Sequence, residues 1–374
     1  MMDHTERRAT IRLHLAEGVA ARTLGRLREA FGSAAGAVAA TPGQLQAVKG
    51  IGVKTAEAIA AVTDADVDAE LAAAERAGAV LCVRGEPGYP RALETITDPP
   101  EVLYVRGELR DTDAVAVGIV GARRCSHYGL EQAQRFGELL ARAGLTVVSG
   151  GARGIDTAAH RGALTAGGRT LAVMGCGLSQ TYPRENRKLF DRIIAEGRGA
   201  LVSELPMGVE IRAGNFHARN RIISGLSLGV LLVEAARRSG SLITARRADE
   251  QGRLVFAVPG RVDSPTSAGT NELIRDGAIL TQNLDDLLEQ LGPIGAALAE
   301  SQDAPPPLPP GLTATETTLL EALAGGELTL DELTRHTKLS SAEAAASMTM
   351  LVIKGAVAQK PGNVFARKVR GGND

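Results

Sequence analysis

Three short glycine-rich segments stand out, the first two with arginine among them: Gly121-Ala122-Arg123-Arg124, Gly150-Gly151-Ala152-Arg153-Gly154-Ile155-Asp156 and Gly175-Cys176-Gly177. Glycine lets a backbone come close to an anion, and arginine offers a planar fork of donors that matches a phosphate. The densest stretch, FHARNRIISGLS over 216–227, sets Arg219, Asn220 and Arg221 next to Phe216. Cations beside one ring suit phosphate capture next to a stacked base. Ser239, Gly240 and Thr244 add hydroxyls and amides at the predicted start of another helix. Part of this arginine set is expected to be scaffold, pairing with Asp156 or Glu234.

Catalytic alternatives have little to stand on. GxGxxG is missing, which argues against a dinucleotide cofactor, and GxxxxGK[ST] is missing, which argues against a P-loop. Neither HExxH nor paired CxxC occurs, and Cys82, Cys125 and Cys176 are too far apart for zinc. No cofactor or metal is therefore expected. His160 in DTAAHRGAL reads as a helix residue with local hydrogen bonds rather than a base.

These segments need strands to position them. Apolar runs at 114–120, 145–149, 170–174, 200–204, 229–234 and 254–258 lack alternation, as expected of strands buried on both faces, and helical stretches separate them. The pattern predicts an α/β, Rossmann-like, doubly wound and mostly parallel sheet over 111–295, with the glycine segments at the carboxyl ends of strands where such sheets bind ligands. Residues 1–110 form a helical domain in this reading. Within it, Thr10 to Phe31 is one amphipathic pattern, and TPGQLQAVKGIGVKTAEAIAAV (41–62) looks like a helix-hairpin-helix around Gly50-Ile51-Gly52. That unit could hold a DNA phosphate or serve only for packing. The piece from Val80 to Glu108 reads as a connector. Prolines 305, 306, 307, 309 and 310 predict a stiff linker over 296–311. Beyond it, 312–374 shows three capping pairs, Thr313 with Glu316, Thr329 with Glu332 and Ser340 with Glu343, followed by a hairpin pattern around Pro361-Gly362-Asn363. Three helices and a hairpin make a winged helix, a unit that contacts DNA in some proteins and protein in others.

Composition limits the partner. The net charge is −1, so any nucleic-acid contact must rest on a local positive patch. Aromatic residues make up 3% with no Trp, which leaves few stacking platforms. An odd count of three cysteines fits a reducing cytoplasm, and no apolar run is long enough to predict a membrane span.

Together, IVGAR (119–123), SGGARGIDTAAHRGAL (149–164), GCGL with YPRENRKL (175–189), FHARNRIISGLS (216–227), EAARRSGSLITARRADEQGRLVFAVPG (234–260) and SAGTNELIRDGA (267–278) resemble the DprA/Smf family. The resemblance implies a SAM-like helical domain, a Rossmann-like domain and a winged helix. It also implies a non-enzymatic homodimer that binds and protects single-stranded DNA in natural transformation and helps to load the RecA recombinase. Carried over by motif, the DNA pocket would use Gly121, Ala122, Arg123, Gly150, Gly151, Arg153, Phe216, Arg219, Asn220 and Arg221. The family often has Pro after that Phe and a basic residue three before it; here these are His217 and Ala213, the latter preceded by Arg212. Either Arg212 takes over that contact or the pocket has lost a charge. The competing reading is a nucleotide-processing phosphoribohydrolase on the same Rossmann variant, with Glu234 as its acid, although the PGGxGTxxE signature of that group is missing.

Overall fold

Capping chemistry divides the first 76 residues into six helices: α1 (His4–Leu15), α2 (Ala21–Phe31), α3 (Ala34–Ala39), α4 (Pro42–Gln46), α5 (Val53–Ala61) and α6 (Asp64–Arg76). Thr41 with Gln44 and Thr63 with Asp66 close capping boxes on α4 and α6. The single pattern expected from Thr10 to Phe31 is in fact two helices, parted at residues 16–20. The hairpin expectation holds: Gly50 sits at φ +90°, open only to glycine, and Leu45, Ile51, Ala56 and Ile59 close the core around it.

In this computed structural model the described residues are 3–303, 312–323, 326–354, 356–360 and 363–367, in two compact units, Met1–Leu291 and Gly292–Asp374. The helical segment belongs to the first unit. Ile11 of α1 and Val67 of α6 share a core with sheet residues, and Arg28 donates to the buried Glu101 at 2.6 Å.

The segment expected to be a connector is two strands, β1 (Ala79–Val83) and β2 (Val102–Gly107), paired antiparallel to each other, with β2 antiparallel to β6. Its turn residues bound the short helix α7 (Arg91–Glu94) rather than interrupting the apolar runs on either side. The parallel part comprises β3 (Ala116–Val120), β4 (Thr146–Ser149), β5 (Thr170–Val173), β6 (Gly199–Ser203), β7 (Gly229–Leu232), β8 (Leu254–Ala257) and a two-residue β9 (Ile279–Leu280). Helices α8 (His127–Arg142), α9 (Ile155–Thr165), α10 (Arg187–Ala195), α11 (Ala213–Gly225), α12 (Ser241–Glu250), α13 (Ala268–Arg275) and α14 (Leu284–Gln290) cover it.

The order β1-β2-β6-β5-β4-β3-β7-β8-β9 positions the site. The chain steps outward from β3 to β6, then crosses back along α11 to β7 on the other side of β3. Strand order therefore reverses between β3 and β7, where the loops leaving the two strands run in opposite directions and leave a crevice.

In the second unit, residues 296–303 belong to helix α15 (Pro293–Asp303) instead of an extended linker. Proline opens that helix, and an Ala- and Leu-rich run continues it. The five linker prolines lie outside the described residues. Helices α16 (Ala314–Ala322), α17 (Leu330–Thr337) and α18 (Ser341–Ile353) each start with the expected capping box. Strands β10 (Leu328–Thr329), β11 (Val357–Lys360) and β12 (Val364–Arg367) form an antiparallel sheet in the order β10-β12-β11, packed through Leu333, Met348, Leu351 and Phe365. This is a winged helix. Of the expected turn, Asn363 has φ 58°, while Pro361 and Gly362 lie outside the described residues.

Candidate nucleic-acid interface

The crevice at the switch point is a cleft of about 700 Å³. One wall is the loop after β3, Gly121 to Arg124. The opposite wall is the loop after β7 and the first turn of α12, with Arg238, Ser239, Gly240, Ser241 and Thr244. Helix α11 forms the floor. Phe216, Arg219 and Asn220 stand at i, i+3 and i+4, hence on one face, and all three line the cleft. Arg221, one position on and about 140° around the helix from Phe216, does not. It is buried beneath the far side, with Nε 3.1 Å from Asp98 and Nη2 donating to Glu204 at 2.6 Å. The expectation that Arg221 lines the pocket is corrected: that guanidinium fastens α11 to the scaffold.

Phe216 is the centre of the cleft. The Arg123 guanidinium lies 5.0 Å from its ring centroid, the Arg219 guanidinium 5.9 Å, and the Tyr182 ring 5.4 Å at a tilt of 48°. A Cβ on Gly175 would come within 2.7 Å of Phe216 Cδ1, so the Gly-Cys-Gly turn is glycine where the ring sits.

Arg219 faces inward. Its Nη1 donates to the carbonyls of Gly150, just past β4, and of Val173, the last residue of β5. Burial pulls its pKa down to about 10, while the neighbouring Asp156 pushes the other way. Asp156 is itself buried, and burial raises its carboxyl pKa against the pull of Arg219 and of the Ala152 N–H, which it accepts at 3.2 Å. A Cβ on Gly150 would lie 2.6 Å from both side chains, so glycine makes room for the pair.

The remaining sequence-derived residues are more scattered. Gly150 and Gly151 lie behind the cleft, against Arg219 and Phe190 respectively. Arg153 is exposed and donates to Glu185 at 2.5 Å. Arg212 is exposed at the start of α11 and outside the lining, whereas Ala213 is in the wall. The wall at Ala213 itself carries no charge. Arg124 and Arg238 bring charge into the cleft from its two walls instead.

Sequence reasoning left Arg124, Tyr182, His217, Arg238 and Asp156 off the site. Tyr182 begins the YPRENRKL motif and Arg124 completes the first glycine segment, so both had a signal. Asp156 closes the second glycine segment and Arg238 lies in the 234–260 motif, so these two had a signal as well.

Glu234 does not reach the cleft. Its Oε2 accepts from the Ser126 N–H at 2.8 Å, and Oε1 accepts from Ser126 Oγ at 2.7 Å and Thr266 Oγ1 at 3.0 Å. It caps the entry to α8 and, among the described residues, forms an ion pair with no arginine. His160 is fully buried, its Nδ1 2.7 Å from Thr170 Oγ1. Because that hydroxyl donates to Val147 O, it accepts from the ring N–H, and burial lowers the histidine pKa to about 3. Among the described residues no cluster of three metal-ligating side chains occurs, and no helix is long and apolar enough to cross a membrane.

Comparison with known proteins follows the same division. The family model for DNA recombination-mediator protein A matches residues 80–292, and that for the DprA winged helix domain matches 303–363. Protein Smf of Escherichia coli is 50% identical over 203 residues, which are 54% of this chain and 54% of that protein, so the chain spans about half of that relative's length. Protein Smf of Synechocystis is 36% identical over 315 residues, 76% of this chain and 79% of the relative. The X-ray structure of DNA processing protein A from Streptococcus pneumoniae superposes with a TM-score of 0.67 at 34% identity, covering 78% of this chain and 99% of that one. The Helicobacter pylori DNA processing protein A, whose single-stranded DNA binding mode has been described structurally, gives a TM-score of 0.51 at 31% identity over 57% of this chain and 95% of its own.

Proposed function

Because this chain belongs to the DprA/Smf family of DNA recombination-mediator proteins, we propose that its switch-point cleft grips single-stranded DNA through the phosphates, with one base against Phe216. The observation that carries the reading is the Arg123 guanidinium set against Phe216 in a cleft whose other wall is Arg238, Ser239 and the first turn of α12. Arginine forks and the positive end of the α12 dipole together favour phosphate oxygens. A cleft of about 700 Å³ suits a few nucleotides of one strand rather than a duplex.

In this proposal Arg123, Arg124 and Arg238 meet phosphates. Phe216 stacks, Asn220, Ser239, Gly240 and Thr244 supply polar contacts, and Arg219 holds the floor. The protein binds without catalysing. The sequestered Glu234 counts against the hydrolase reading, since the acid it needs is occupied in capping α8. The family resemblance supports the finer proposals: a cytoplasmic homodimer in natural transformation that protects the strand and passes it to RecA. It also supports a working division into an N-terminal segment (1–110) whose helices α1 to α6 precede the edge strands β1 and β2, a DNA-gripping segment (111–295) and a winged-helix segment (312–374).

The test is fluorescence anisotropy of labelled oligo-dT for the wild type and Arg123→Ala at several salt concentrations. One lost charged contact, about 1.5–3 kcal/mol, weakens binding roughly ten- to hundredfold and lowers the salt slope by about 0.7. Unchanged binding, or equal affinity for duplex at matched salt, refutes the cleft reading.

A further inference from the structure

Helix α11 brings one more polar side chain to the cleft. His217 stands one position beyond Phe216, about 100° further around the helix, where the floor meets the wall made by the start of α12. Its Nε2 lies 4.0 Å from where a Cβ on Gly240 would stand. Gly240 has ordinary helical backbone angles, φ −62° and ψ −21°, so the chain does not require glycine there. Without a side chain, Gly240 leaves its backbone bare to the space in front of the imidazole.

The protein itself uses neither group. His217 is exposed and, among the described residues, makes no hydrogen bond or ion pair. The Gly240 N–H likewise has no acceptor among them. The other ionisable side chains lining the cleft are Arg123, Arg124 and Arg238 from its two walls, Tyr182, and the pair Arg219 and Asp156. Asp156, the carboxylate of this set, is buried against Arg219 and the Ala152 N–H. The exposed Arg212 precedes His217 on the same helix. A protonated imidazole donates from both nitrogens and carries a full charge, which suits a phosphate oxygen. Histidine is also the side chain whose ordinary charge change falls between pH 5 and 8, where arginine stays charged throughout.

We propose that His217 and the Gly240 N–H hold one phosphate of the strand between them, and that protonation of His217 sets how tightly the cleft grips. The inference rests on the cleft reading above and adds what the arginines cannot supply, a grip that tightens on acidification and slackens as pH rises. By linkage, DNA binding takes up a proton wherever His217 is neutral in the free protein.

The test is fluorescence anisotropy of labelled oligo-dT, whose bases do not titrate in this range, at pH 6, 7 and 8 and several salt concentrations. Wild type, His217→Gln, His127→Gln and Arg123→Ala are compared, each shown by a thermal melt to be folded at every pH. The wild type should bind several-fold more tightly at pH 6 than at pH 8, with a salt slope steeper by up to about 0.7, the value of one further phosphate contact. His217→Gln should lose both differences. His127→Gln, which removes an exposed ring 3.3 Å from Glu131 on α8, should keep them. If wild-type affinity is level with pH, or His217→Gln varies with pH as the wild type does, while Arg123→Ala is weak throughout, the proposal is overturned and the cleft reading stands. If Arg123→Ala binds like the wild type at every pH, the cleft reading fails and the proposal with it.

Discussion

Replacing Arg219 with Met separates two roles that the sequence assigns to one motif. If its guanidinium belongs to the scaffold, the substitution removes the donor to two strand-end carbonyls, Gly150 O and Val173 O, and leaves each short of a partner in a buried site. An unsatisfied buried polar group costs about 1–3 kcal/mol. Asp156 also loses the cation that favours its ionised form. Removing one partner of a buried charge pair costs about 3–5 kcal/mol. These effects overlap at one site, so the expected total is about 3–5 kcal/mol rather than their sum. For a unit of this size that lowers Tm by roughly 6 °C or more.

The variant should also respond to pH. Burial already raises the Asp156 pKa in the folded state, and loss of Arg219 raises it further. A folded carboxyl with a raised pKa binds more protons than the unfolded chain, so stability falls as pH rises above the unfolded value of about 4. Arg219→Met should therefore be penalised less at pH 5 than at pH 8, and Asp156→Asn should relieve part of the loss. The assay is chemical denaturation at both pH values, with anisotropy on oligo-dT at a temperature where the variant is folded. A variant that melts like the wild type yet loses DNA affinity with a shallower salt slope refutes the argument and makes Arg219 a phosphate ligand.

Gly175→Ala should act through the ring: its new Cβ would lie 2.7 Å from Phe216 Cδ1, so the ring must shift, and oligo-dT affinity should fall several-fold in the same anisotropy assay. His14 and His160 are buried with pKa values lowered by burial to about 4 and about 3. Their neutral forms contribute stability above the unfolded value of about 6.5 that is lost as pH falls toward the folded values, so urea midpoints should drop between pH 7 and pH 5. A midpoint that stays level across that interval would show that neither ring is held neutral by the fold.

The parallel sheet was legible because strands buried on both faces are spelled as unbroken apolar runs, and all six expected strands lie within a residue or two of 116–257 as found. The antiparallel pair β1 and β2 was not. Its Gly-Tyr-Pro and Asp-Pro-Pro turns looked like punctuation of a connector, and only pairing of β2 with β6 across about a hundred residues makes it an edge. The winged helix was legible from local chemistry, since each helix start carries both halves of its capping box. The helix over 296–303 was missed because the prolines that follow dominated the reading of a segment whose own residues favour helix.

The same contrast explains the site. Arg123, Arg219 and Arg221 are one residue type in recognisable motifs, yet the fold gives them three fates. Arg123 stands on a strand-end loop at the switch point, its guanidinium 5.0 Å from the Phe216 ring centroid. Arg219 stands on the cleft face of α11 but points down, where strand-end carbonyls and Asp156 take up its donors. Arg221 stands on the opposite face, between Asp98 and Glu204. Motif spacing fixes which helix face a side chain occupies; it does not fix how deep that face lies or which carboxylates await it there. A chain of net charge −1 can therefore present a cationic cleft without a cationic surface. What separates the arginines that meet solvent from those that hold the floor is the packing of α11 against the ends of β4 and β5.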